Sequence, residues 1–142
     1  MSALFRFLFV SNDILIARHV ATCDAIDAFV DLEFMGKQER QGHLTTWKSR
    51  QSPQDVTRMR EALPENYLIV RVNPLHDGSR QEIDDVIARG ADGVMLPMFH
   101  DRDTVSRFCD LVAGRAEAVP LFETAASVRA IPEIVPAVGL RR

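Results

Sequence analysis

Apolar runs of four to six residues alternate along this chain with stretches whose apolar positions recur every three or four residues. Phe5 to Val10 is the first run, and Ala28 to Glu33, Tyr67 to Val72, Gly93 to Leu96 and Ala118 to Phe122 follow it. Each is expected to be a strand, and Tyr67 to Val72, with almost no polar interruption, a strand buried on both faces. Between them, Asp13 to Cys23 places Ile14, Ala17 and Val20 or Ala21 on one helical face. Ser52 and Pro53 begin a helix that carries Val56, Met59, Arg60 and Leu63 and stops before Pro64. Ser79 with Glu82 has capping-box spacing ahead of the stripe Ile83, Val86 and Ile87, and Gly90 ends that helix. Asp103 to Val112 is the next helix, and a last one starts near Thr124 and is interrupted at Pro132 and Pro136. The polar stretch from Phe34 to Gln51 is long for a connection between a strand and a helix, which marks it as functional or partly helical.

Five strand-helix units without a linker or a shift in composition predict one α/β domain over residues 1–142 with a parallel sheet. Two architectures use such units. A flavodoxin-like doubly wound sheet needs about this length, but Ser11-Asn12-Asp13 after the first strand carries no glycine to cradle a phosphate. A full (β/α)8 TIM barrel takes roughly 250 residues, so as a barrel this chain supplies the first five-eighths.

Composition narrows the function classes. The chain is 46% hydrophobic and 26% charged, with a formal net charge of −3. The densest basic group, Lys48, Arg50, Arg58 and Arg60, surrounds one helix start and reads as a solvated face, so no nucleic-acid partner is expected. Met1 to Val10 is too short to span a bilayer and lacks a small-residue cleavage site, so it is expected to be a buried first strand with no membrane role. Cys23 and Cys109 fall within expected helices without metal-type spacing, which suits reduced, buried or half-buried thiols of a cytoplasmic protein.

The strand ends carry the chemistry-bearing residues, where a barrel of this kind builds its site. Val30-Asp31-Leu32-Glu33 with Gly36-Lys37 and Arg40, then Val70-Arg71-Val72-Asn73, then Gly90 to Met98, then Leu121-Phe122-Glu123-Thr124, occur in that order. This series resembles the HpcH/HpaI aldolase and citrate lyase β-subunit family, metal-dependent carbon-carbon lyases of the phosphoenolpyruvate/pyruvate-binding barrels. The resemblance runs from the second strand to the C-terminus. It implies a lyase acting through an enolate on a 2-oxo acid or an acyl-thioester, with Mg2+ or Mn2+ as cofactor, in a homo-oligomer. A hard cation and a forked arginine donor are both means of stabilising an enolate oxyanion.

By the same resemblance Arg71 is the substrate arginine, Glu123 a metal ligand, and Pro97 and Met98 lie against the substrate. Read from the residues alone, Arg71 can equally pair with Glu33 to close the interior, and Glu123 can complement the N-terminus of the next helix. Asp31 and Glu33 project to one side of their strand, and Glu33 is a candidate partner of Arg71 or of metal-bound water. His43, His76 and His100 fall in loops after strands, and His43, in the longest loop, is the favoured general base. The aldolase branch begins its helix after the second strand with a histidine where this chain has Gln51. The family's second metal carboxylate belongs to the next strand, beyond Arg142. A non-catalytic remnant or binding module that keeps the arginine-lined pocket is therefore the alternative reading.

Overall fold

A computed structural model describes residues 5–36 and 51–137, and all structural statements concern these residues. The elements run β1 (Phe7–Val10), α1 (Ile14–Val20), β2 (Ile26–Asp31), α2 (Pro53–Ala62), β3 (Leu68–Arg71), α3 (Ser79–Ala88), β4 (Gly93–Leu96), α4 (Arg102–Val112), β5 (Glu117–Pro120), α5 (Ala125–Arg129) and α6 (Ile131–Ala137). All strand pairs are parallel, and the strands lie in the sheet in chain order, β1-β2-β3-β4-β5. A doubly wound sheet reverses direction at a switch point, so this order excludes the flavodoxin-like alternative. Right-handed crossovers that always step the same way put every helix on one face of the sheet, as in a TIM barrel.

The two faces are accordingly different. Val30, Leu68, Val70, Val94 and Leu96 pack outward on Val56, Met59, Ile83, Val86, Val105 and Phe108 from the helices. Alternation turns Phe29, Ile69 and Met95 to the other face, where they meet Tyr67, Val119 and Leu121. Asp31 and Arg71 follow Phe29 and Ile69 by two residues, so they share that inner face.

At the N-terminal end of the strands the inner layer is polar. Arg6 pairs with Asp27, and the Tyr67 hydroxyl donates to Glu117. Gly93 leaves the space the phenol crosses, since a Cβ there would sit 2.9 Å from the Tyr67 oxygen. Arg60 spans the α2–β3 connection, donating to the carbonyls of Leu63, Pro64, Asn66 and Gly90 and pairing with Asp92. It is therefore a structural clamp and not part of a solvated basic face.

Three further expectations change. The strand β1 is not buried: Phe7, Leu8 and Val10 are 65%, 42% and 47% exposed, because β2 flanks it on one side only. Cys23 lies exposed in the turn after α1, which ends at Val20, while Cys109 is half-buried in α4 and its thiol is pushed up by burial. The capping box of Ser79 and Glu82 does not form. The N-cap of α3 is Gly78, the Ser79 hydroxyl accepts from the His76 amide, and the Glu82 carboxylate turns to Asn73 and His76. The Ser79 amide that a box would bind donates instead to the His76 carbonyl at 3.1 Å, which leaves Glu82 for those contacts. The capping expected at Ser52 is present, with the Asp55 carboxylate 2.7 Å from the Ser52 amide. The last helix divides at Ala130, ahead of Pro132, but the interruption expected at Pro136 is not there, since that proline lies within α6.

Candidate functional site

The C-terminal ends of β2, β3 and β5 bring the charged residues of the inner face together. Arg71 is the last residue of β3 and Asp31 the last of β2, and the sheet register sets them directly opposite. Their side chains form a two-pronged pair, Nε to Oδ1 at 2.9 Å and Nη2 to Oδ2 at 2.8 Å. This fork-to-fork geometry is the strong form of an arginine-carboxylate contact. Glu33 Oε2 lies 3.4 Å from Nε, and the guanidinium carbon stands 5.7 Å from the centre of the Phe29 ring. Side-chain exposures of 19% for Arg71, 8% for Asp31 and 3% for Glu33 make this a largely desolvated group. Burial alone would pull the Arg71 pKa down. The Asp31 hydrogen bonds and the charges of Asp31, Glu33 and Glu123 outweigh it, and the pKa lies above its ordinary value. Nε and Nη2 face Asp31, so Nη1 is the edge of the fork that these contacts leave over.

Glu123 lies three residues beyond the end of β5, just ahead of Thr124, the N-cap of α5. Its Oε1 accepts from the Met98 amide at 3.0 Å. Met98 has a φ of 53°, a left-handed conformation that costs a side-chain-bearing residue about 1–2 kcal/mol. The turn thereby joins two of the sequence-selected residues through a backbone donor. Pro97 is buried, and it lines with Met98 a groove shared with Pro74, Leu75, Phe99 and His100. His76 is engaged elsewhere, with Nε2 3.2 Å from Glu82 and Nδ1 accepting from the Gly78 amide. His43 lies outside the described residues, as do Lys37, Arg40, Lys48 and Arg50.

Among the described residues, no group of three or more histidine, cysteine, aspartate or glutamate side chains is placed to hold a metal. Glu123 is one hard oxygen ligand, with one of its two oxygens already on Met98, while Asp31 and Glu33 face Arg71. These residues do not by themselves fit the divalent cation that the family resemblance implies, because Mg2+ needs several oxygen ligands in near-octahedral array. What they do offer is an arginine held rigid by two carboxylates, with a third carboxylate close enough to feel its charge.

Two residues with a part in this geometry stand in the sequence motifs, but no role at the site was expected of them. Gln51 accepts the Asp31 amide through Oε1, tying the end of β2 to the start of α2. Asn73, two residues after Arg71 and so on the same face, is 3% exposed and binds the backbone just past Glu33. The period-two spacing from Arg71 was the available clue.

No family model matches this chain, and no curated protein does. Among solved structures it is similar to a crystal structure of citrate synthase SbnG, at 19% sequence identity and a TM-score of 0.66, over 96% of this chain and 58% of that one. A variant of the same citrate synthase superposes with a TM-score of 0.58 at 19% identity, over 92% of this chain and 54% of that one. The chain thus spans somewhat over half the length of the structures it resembles, and the likeness is one of fold. No helix among the described residues is long and apolar enough to cross a membrane.

Proposed function

We propose that this chain carries the arginine side of an enolate-binding site, in a carbon-carbon lyase of the metal-dependent aldolase and citrate-lyase kind. Its substrate would be a 2-oxo acid or an acyl-thioester, and its cofactor Mg2+ or Mn2+. A cytoplasmic homo-oligomer is the setting we infer. The observation that carries this reading is the position of Arg71 at a strand end, fixed by Asp31 and Glu33 with Nη1 left to donate. The fold shared with a citrate synthase is in keeping with it.

In this reading Asp31 holds the guanidinium in one plane before substrate arrives, so little reorganisation accompanies the reaction. The Nη1 edge then donates to the oxygen on which negative charge grows as a carbon-carbon bond breaks. A preorganised donor of this sort is worth about 10²- to 10³-fold in rate. Glu33, on the same side as Asp31, keeps Nε engaged and leaves the outer edge for the substrate.

A second reading, binding without turnover, is favoured by the metal census: the described residues contribute one oriented carboxylate, Glu123, and no cluster. Calorimetric titration of the chain with oxalate, an enolate mimic, in the presence of Mg2+ or Mn2+ tests both readings. Binding that Arg71→Lys weakens tenfold or more supports an arginine that acts as a fork, since lysine keeps the charge and loses the geometry. Absence of oxalate binding to the folded chain would refute the enolate site. Binding without cleavage of a 4-hydroxy-2-oxo acid would select the second reading.

A further inference from the structure

Beside the charged group lies a part-buried relay, centred on the buried Asn73, that the proposed chemistry does not use. Asn73 Oδ1 accepts the amides of both Phe34 and Met35, at 2.9 and 3.0 Å, which are the two residues following Glu33. On the other side of the same amide, Nδ2 donates to Glu82 Oε1 at 2.6 Å, and the Asn73 backbone N–H donates to that oxygen at 3.2 Å. Glu82 Oε2 faces His76 Nε2 at 3.2 Å. The Gly78 amide donates to His76 Nδ1, which assigns that nitrogen as acceptor and the Nε2 hydrogen to Glu82.

Every group in this chain of contacts has a fixed polarity. Backbone N–H groups can only donate and the Glu82 carboxylate accepts, so only a side chain with an acceptor on one side and a donor on the other fits between them. An asparagine meets that demand, and neither aspartate nor leucine does. The strand-end segment carrying Glu33 is thereby bound to α3, an element that contributes nothing directly to the Arg71 group.

We propose that Asn73 is a positioning residue for the candidate site, its amide oriented by Glu82 so that the segment after β2 holds Glu33 against Arg71. This rests on the enolate-site reading for its functional meaning, but its geometry can be tested without any ligand. The informative variant is Glu82→Ala. Glu82 meets Asn73 and His76 and lies across the asparagine from the Phe34 and Met35 amides, so an effect there travels through Asn73.

Hydrogen exchange of the Phe34 and Met35 amides is the first readout, normalised to amides of β4 that none of these groups touches. The Arg71 Nε–H resonance is the second. Glu82→Ala is expected to speed exchange at Phe34 and Met35 about tenfold, the equivalent of one net hydrogen bond, and to shift the Arg71 Nε–H signal. Asn73→Asp, which sets two carboxylates face to face, is expected to do the same. Adding Glu82→Gln to it supplies a donor and is expected to recover part of the protection, since the glutamine NH2 satisfies the new carboxylate but no longer accepts the residue 73 backbone N–H, a partial rescue that a packing role would not show. Unchanged exchange and an unchanged Arg71 signal in Glu82→Ala would overturn the proposal, and so would failure of the rescue in a folded double variant. Oxalate titration of the same samples separates the two ideas: a wild-type chain that shows the exchange effect but binds no oxalate refutes the enolate site and leaves the relay standing.

Discussion

Removing the guanidinium at position 71 while keeping its bulk, Arg71→Met, should cost far more than removing the whole charged group. In wild type, Arg71 is a cation that both Asp31 and Glu33 face, and their side chains are 8% and 3% exposed. Breaking a buried pair by deleting one member costs about 3–5 kcal/mol, because desolvated charge is left behind. The 19% exposure of Arg71 lets water and salt moderate that figure, so about 2–3 kcal/mol is expected. Methionine preserves the contact of the aliphatic stem and forfeits the cation-ring attraction to Phe29, about 0.5–1 kcal/mol more. The triple variant Asp31→Asn, Glu33→Gln, Arg71→Met removes all three charges, and the amide oxygen at position 31 can still accept the Glu33 N–H. It should lie within about 1 kcal/mol of wild type, since uncharged replacements of buried ionic groups are often neutral. Urea unfolding at pH 7, read as midpoint and slope, measures all three proteins. A single variant costing under about 1 kcal/mol, or a triple variant no better than the single one, would refute the view that Arg71 is first of all the countercharge of its two carboxylates.

Three other outcomes follow from the structure. Gly93→Ala should destabilise by about 1–3 kcal/mol in thermal unfolding, since its Cβ would meet the Tyr67 oxygen at 2.9 Å and Ile69 Cγ1 at 3.4 Å; an unchanged melting temperature would show that the phenol does not cross this glycine. Tyr67 is the only tyrosine in the sequence, so phenolate absorbance reports it alone. Burial, then the hydrogen bond to Glu117 and the nearby carboxylates, push its pKa up. A raised value gives stability that is full below the ordinary phenol pKa of about 10 and is lost as pH rises through the folded value. Native titration should thus be displaced to higher pH than in urea, and Tyr67→Phe should remove that alkaline loss of stability. Asp101 caps α4 by accepting the Thr104 amide at 2.8 Å, and that bond holds its carboxyl below the usual range. Asp101→Ala should cost about 1 kcal/mol at neutral pH. A lowered carboxyl pKa contributes stability above about pH 4 that disappears as pH falls through the folded value, so wild type and variant should converge in acid.

The strand-helix alternation and the inward placement of Asp31, Glu33 and Arg71 were legible because both depend on local period: two along a strand, about 3.6 along a helix. The order of the strands was not written in that period, since a right-handed crossover can step either way along a sheet; the expectation of a barrel came from the resemblance of the strand-end motifs, and the chain-order sheet agrees with it. Exposure of β1 was hidden for a related reason. The run Phe5 to Val10 has the composition of an interior strand, and only the sheet shows that among the described strands β2 is its one neighbour. Glu82 was misassigned because capping-box spacing is a local signal, whereas Asn73 and His76 become its neighbours only when β3 and α3 pack. Likewise Asp31, and not Glu33, is the main partner of Arg71, a choice made by strand register and invisible in either strand alone.

The chain-order sheet also bears on how the protein is made. Each strand finds its partner in the strand synthesised just before it, so no step has to wait for a distant segment, and growth from the ribosome can proceed strand by strand. The outer edge of β1 gains nothing from this progression. Phe7, Leu8 and Val10 are made before the other four strands, and each of those is added at the opposite edge. That edge has neither proline nor bulge to discourage pairing, and its one flanking charge, Arg6, is turned inward to Asp27. Among these five strands β1 therefore waits longest with its outer edge unpaired, which makes Phe7–Val10 the segment a chaperone would hold while the later strands are made.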